Sequence, residues 1–170
     1  MKLRALLVIV LLSLGTITRA IGQEHVEPGV HLDHEHEGHR RHKHHLGLFM
    51  GGATMFEDHG HSETGFSVGL DYEFRFVRRW GVGGVLEGVL FSDGRDLVFA
   101  VPLSWHPIDA LKLSAGPGLE TDGHHNEFLF RFSMAYGFEV RKYSLSPELA
   151  VDITEDSGAL VFGLSFGRGF

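Results

Sequence analysis

Histidine is the residue type with the most chemistry to offer in this chain. Of its 13 His, eight fall within residues 23 to 45: His25, His31, His34, His36, His39, His42, His44 and His45. Glu24, Glu27, Asp33, Glu35 and Glu37 stand between them. Neutral imidazole is a general ligand for zinc, copper and nickel, and neighbouring carboxylates raise the local cation concentration. Asp33-His34-Glu35-His36 could clasp one ion, and His42, His44 and His45 could add donors. The candidate metal ligands are therefore His31, His34, His36, His39, His42, His44 and His45. Zn, Cu or Ni is the expected metal, and no cofactor is required. The tract has few apolar residues and is interrupted by Pro28, Gly29 and Gly38, so it is expected to be flexible and without a core. The competing reading is a solvated tether that gains charge near pH 6.

The chain has no Cys. Disulfide scaffolds, thiol catalysis and cysteine metal sites are excluded, which leaves imidazole and carboxylate as metal donors. The formal charge of −7 argues against a nucleic-acid binder. Two more His pairs, His59 with His61 and His124 with His125, fall in polar stretches. Each pair alone supplies two ligands, fewer than a tight zinc site uses.

The elements that place these residues begin with an address. Lys2 and Arg4 precede an apolar run from Ala5 to Leu14, and small residues follow at Ala20 to Gly22. This pattern predicts a secretory signal peptide over residues 1–22, cleaved between Ala20 and Gly22. The run is too short for a spanning helix, which needs about 20 apolar residues. Losing Lys2, Arg4 and Arg19 would take the charge from −7 to about −10. Residues 23–45 are then expected as a His-rich flexible periplasmic segment.

Residues 46–170 alternate with period two. Phe66, Val68, Leu70, Tyr72, Phe74 and Phe76 share one face, against Gly65, Ser67, Gly69, Asp71, Glu73 and Arg75. Phe128, Phe130, Phe132, Met134, Tyr136 and Phe138 repeat the pattern, as do Leu160, Phe162, Leu164 and Phe166. With 46–56, 80–91, 97–106, 111–120 and 143–153, these make eight strands. Polar loops at 57–63, 92–96, 121–126 and 154–158 alternate with tight turns at 77–79, 107–110 and 141–142. The arrangement predicts an all-β, eight-stranded antiparallel up-and-down transmembrane β-barrel.

A soluble lipocalin-like barrel would alternate too, with its apolar face inward. Three features favour the membrane form. The weak face is rich in Gly, Ala and Ser rather than the dense charge of a wetted surface. The apolar face carries too many aromatics for an eight-stranded lumen. A strand of about 12 residues tilted near 45° rises about 28 Å, close to the apolar band of an outer membrane.

The chain ends Leu164-Ser165-Phe166-Gly167-Arg168-Gly169-Phe170, with apolar residues at alternate positions before a final aromatic. This resembles the C-terminal strand of the small eight-stranded bacterial outer-membrane β-barrel proteins, and the likeness of pattern covers residues 46–170. Arg168 departs from it, standing where the pattern has an apolar residue or Tyr; snorkelling to the membrane rim would accommodate it. The resemblance implies insertion by the barrel-assembly machinery, contact with outer-membrane lipid and location in the cell outer membrane. Some barrels of this size are lipid A deacylases with a Ser/His pair. Here His61 and Ser62 are adjacent, a poor geometry for a base to activate a nucleophile, so a non-enzymatic protein is expected, of structural, envelope or surface-interaction type. A metal-handling protein anchored by the barrel is the alternative.

Inside such a barrel, Asp71, Glu73, Glu87, Glu139, Glu148 and Asp152 would face Arg75, Lys112 and Arg131. Charges in a narrow lumen must pair, which predicts a salt-bridged plug with Arg75 and Arg131 as hubs. Trp80, Trp105, Tyr72, Tyr136 and Tyr143 would form girdles toward the two ends. Pro102, Pro117 and Pro147 fall inside strands and each removes a ladder donor, so bulges are expected there. His106 is expected at a strand end or turn.

Overall fold

The computed structural model describes residues 42–170, apart from 58–61, 93 and 156. The expected signal peptide and His25, His31, His34, His36 and His39 lie outside the described residues, as do His59 and His61.

Ten β segments follow one another: β1 (His44–Glu57), β2 (Ser62–Val77), β3 (Trp80–Leu90), β4 (Arg95–Ala100), β5 (Leu103–Ile108), β6 (Leu111–Thr121), β7 (Asn126–Tyr136), β8 (Phe138–Val140), β9 (Tyr143–Ile153) and β10 (Ser157–Gly169). They make eight strands, because β5 continues β4 and β8 continues β7 in unbroken register. Val85 faces Ala100 and Trp80 faces Trp105 in one antiparallel alignment. Ala135 faces Glu148 and Phe138 faces Leu145 in another. Each strand pairs with the next, and β10 returns to β1 from His45 opposite Gly169 to Glu57 opposite Ser157. The barrel is closed and has no edge strand.

The expected bulges at three prolines are not found; the ladder instead loses single bonds with no shift of register. Gly83 N–H donates to Pro102 O at 2.9 Å, but Pro102 has no N–H to return. Val101 N–H donates to Pro117 O at 2.9 Å, and Pro117 likewise returns none. These two absences bracket Val101-Pro102 and separate β4 from β5. Pro147 stands opposite Tyr136, where β7 gives way to β8, and likewise returns no N–H, while Gly137 N–H keeps to the β6 ladder with Ala110 O at 2.7 Å. The register shifts lie nearer the turn end, between Arg75 and Val77 and between Trp105 and Ile108.

The alternation places its faces as expected. Phe66, Leu70, Phe76, Phe99, Leu119, Phe128, Phe132, Phe162 and Phe166 are all exposed on the outside. Inside, Phe49, Ala53, Val89, Ala150 and Val161 form a buried apolar cluster, with Phe91 packed on it. Val98 and Leu129 are buried as well, and the remaining buried positions are small or polar, including Ser67, Ala100, Ser104, Ala135 and Ser165. This is the inverse of a soluble ligand-binding barrel, and the lipocalin-like alternative falls on that ground. No described helix is long and apolar enough to cross a membrane, and the chain crosses with strands instead.

The girdle expectation needs correction. The chain has two Trp and three Tyr, and all five lie toward one end, where the tight turns are. Trp80 opens β3 and pairs with Trp105, Tyr143 opens β9, Tyr136 pairs with Leu111, and Tyr72 pairs with Leu46 near the start of β1. The opposite, loop end carries Phe alone among large aromatics.

Candidate functional site in the barrel lumen

Midway along the lumen Arg131 is the hub, as expected. It projects from β7, whose alternation puts Leu129, Arg131 and Ala135 inward and buried. Its Nε donates to Asp152 Oδ1 at 2.6 Å and its Nη2 to Asp152 Oδ2 at 2.5 Å, a bidentate pair between cross-strand neighbours. Its Nη1 lies 2.7 Å from Glu87 Oε2 on β3. Ser67 Oγ–H on β2 donates to Glu87 Oε1 at 2.5 Å. The planar guanidinium suits this work, because its fork meets one carboxylate on two donors and leaves a third for the other.

A second cluster lies toward the turn end. Lys112 Nζ on β6 is 3.3 Å from Asp71 Oδ1, and Ser165 Oγ–H on β10 donates to Asp71 Oδ2 at 3.2 Å. Glu73 Oε1 receives His106 Nε2 at 2.6 Å, with Arg75 Nε at 3.5 Å. Two inward glycines make this room. A methyl group at Gly47 would collide with the Asp71 carboxylate, and one at Gly81 with that of Glu73.

Three expectations about the lumen change. Arg75 is not a hub: it lies at the register shift in β2, 28% exposed, and reaches Glu73 from the side. His106 is no turn residue; it is buried with Ser104 on the inner face of β5 and is the nearest partner of Glu73. The alternation of Leu103 and Trp105 with Ser104 and His106 was the available signal. Glu139 falls on the inner side of β8 but at the open end, where it is exposed.

Two candidate metal ligands belong to the barrel, which starts two residues earlier than expected. His44 and His45 form the first rungs of β1. His44 N–H donates to Phe170 O at 3.2 Å, and Phe170 N–H donates to His44 O at 2.9 Å. The His44 ring bonds Tyr72 Oη at 2.7 Å and stacks on Phe170. The His45 ring points inward and bonds Ser144 Oγ at 3.0 Å. His42 precedes the strand and is exposed. Among the described residues no group of three or more His, Asp or Glu is arranged to hold a metal.

At the loop end, Asp122 Oδ1 accepts from His124 N–H at 2.7 Å and His125 N–H at 2.6 Å. Gly123 supplies the left-handed backbone of this turn, at φ 90°. The two backbone amides hold the Asp122 carboxyl down at about 2. The His125 ring is 82% exposed and lies 3.5 Å from Asp122 Oδ2.

No protein-family model and no curated protein matches this sequence. Solved structures share the fold. Neisserial surface protein A is 9% identical, with 75% of this chain aligned to 97% of that one and a TM-score of 0.62. Ail, the attachment invasion locus protein of Yersinia pestis, solved with the heparin analogue sucrose octasulfate, is 14% identical over 75% of this chain and 97% of its own, with a TM-score of 0.53. The outer membrane protein OprG of Pseudomonas aeruginosa is 12% identical over 76% and 98%, with a TM-score of 0.51. Residues 46–170 thus have the fold of small eight-stranded outer-membrane barrels.

Proposed function

We propose that this is a non-enzymatic integral outer-membrane barrel whose work is done at its surfaces rather than through its bore. One observation carries the reading. The exterior is a closed belt of exposed large apolar side chains, while every charged group buried in the lumen at Asp71, Glu73, Glu87, Arg131 and Asp152 is engaged by an inward neighbour. Lipid suits such a wall and water does not. An apolar layer from Phe49 to Phe91 stands toward the loop end of the same lumen, which supports a plug rather than a channel. Both described chain ends meet at the turn end, as in barrels whose tight turns face the periplasm. The His-rich residues 23–41 would then stand in the periplasm as a binder of divalent transition metals, and the terminal strand would engage the assembly machinery.

The loops favour a surface ligand unlike that in the Ail complex. Glu63, Asp96, Glu120, Asp122, Glu127 and Glu155 lie at the loop end with Arg95 as the only described Lys or Arg. That field repels a sulfated sugar and suits a cationic partner.

The test is fractionation of the expressing cell followed by gel electrophoresis with and without boiling. Recovery in the outer membrane with a heat-modifiable shift is expected. Recovery in the soluble periplasm without detergent would end the reading.

A further inference from the structure

The lumen pairs its cations, but the turn end does not. Lys43, Arg78, Arg79, Arg141, Lys142 and Arg168 are all exposed there. They sit before β1, in the β2–β3 turn, in the β8–β9 turn and at the end of β10, and so surround much of the barrel rim. None makes a side-chain ion pair among the described residues, although Glu139 lies at the same end. Six cations outside any ion pair among the described residues, in a chain of net charge −7, point to anions from outside the barrel.

Their surroundings say which anions. Arg168 is on the outward face of β10, between exposed Phe166 and Phe170. Arg79 adjoins exposed Trp80, and Lys142 adjoins exposed Tyr143. All the Trp and Tyr of the chain gather at this end, stacked as Trp80 on Trp105 and Tyr143 on Phe166. Amphipathic rings mark head-group level, and long basic side chains beside them reach from the apolar band to the polar surface. A free anion would call for converging donors in one concavity. These cations are spread round a rim, each beside a lipid-facing residue.

We infer that the turn-end rim is a binding surface for anionic phospholipid head groups, which ring the barrel through Lys43, Arg78, Arg79, Arg141, Lys142 and Arg168. The phosphodiester is the group recognised. The inference rests on the membrane reading, and the two are separable by one experiment.

Trp80 and Trp105 are the only Trp in the chain, and both sit at this rim, so they report on the lipid beside them. The full mature protein is folded into vesicles of mixed phosphatidylcholine and phosphatidylglycerol. Bromine is placed on one lipid or the other, and quenching gives their relative occupancy of the rim. A basic side chain at a membrane surface shifts partition toward an anionic lipid by up to roughly fivefold. Phosphatidylglycerol is therefore expected to be preferred about three- to fivefold at low salt, falling toward unity at about 0.5 M salt as the Debye length shrinks. Replacing all six cations by Gln should abolish the preference. Arg78→Gln with Arg79→Gln, confined to one exposed turn, should reduce it even if the sixfold variant fails to fold.

Equal quenching by both lipids, or a preference untouched by salt and by the turn variant, would overturn the inference while leaving the membrane reading intact. Absence of quenching by either lipid would overturn the membrane reading itself. Relief of quenching by millimolar inorganic phosphate or by soluble acidic peptidoglycan fragments, beyond that of NaCl at equal ionic strength, would assign the rim to those anions and sink the lipid proposal.

Discussion

Arg131 shows how much of the barrel depends on single side chains. It neutralises Asp152 and Glu87 at once, on strands that are not neighbours. Arg131→Met would leave two buried carboxylates facing each other, and removing one partner of a buried pair costs about 3–5 kcal/mol. Urea unfolding of the vesicle-embedded barrel, followed by Trp fluorescence, should show that loss. Adding Glu87→Gln and Asp152→Asn should recover most of it; no recovery would mean that Arg131 acts by packing alone. Asp122 tells a different story at the loop end. Its carboxyl is held below the ordinary 3.8, at about 2, by two backbone amides. A carboxyl depressed by folding adds order that is fully present above its ordinary value and lost as pH falls through the depressed one. The His124 and His125 amide resonances should therefore titrate near pH 2. A midpoint near 4 would show that the turn is not closed by this side chain. Histidine was the residue hardest to place from sequence. His44 and His45 share the composition of the tract before them, and only the strand register separates them from it. His106 was hidden by Pro107, whose usual meaning is a turn.

At the scale of the strand, far more was legible. Period-two alternation is a local property, so all eight strands could be read directly, while the sign of their faces needed the composition of each face and the strand length besides. The tight turns were equally plain, and the one at Arg141 even tolerates a left-handed residue, at φ 60°. Strand continuity was not legible, because it depends on which neighbour each amide faces. Pro102 and Pro117 looked like reasons for bulges. In the barrel they remove one donor each on either side of Val101, and the register absorbs the loss. Pro117→Ala should restore a donor to Val101 O. One backbone hydrogen bond contributes about 1 kcal/mol net, so the variant should gain a slowly exchanging amide at position 117 and unfold at slightly higher urea. Fast exchange there would mean that Val101 O has turned away from β6.

At the scale of the whole barrel the charges of the described residues are segregated, with most exposed carboxylates at the loop end, cations outside any ion pair at the turn end and paired charges between. The aromatics obey the same polarity. Neither asymmetry could be seen before the turns were assigned to one end, because residues far apart in the chain share a rim only after closure. The candidate metal ligands divide as well, between those built into the barrel and those that precede it in the sequence. His44 and His45 are fixed in the first rungs of β1 by Phe170, Tyr72 and Ser144, and among the described residues no group of three donors includes either of them. Deleting residues 23–41 should therefore remove zinc, copper and nickel binding while the barrel keeps its heat-modifiable shift. His44→Asn with His45→Asn in the full mature chain should leave metal affinity within about twofold, below the roughly tenfold change that loss of a ligand's support brings. Titration calorimetry of the three proteins decides between them. Zinc affinity that survives the deletion but falls in the double variant would move the metal site from the tract to the barrel mouth, and the tract would then be no more than a solvated tether.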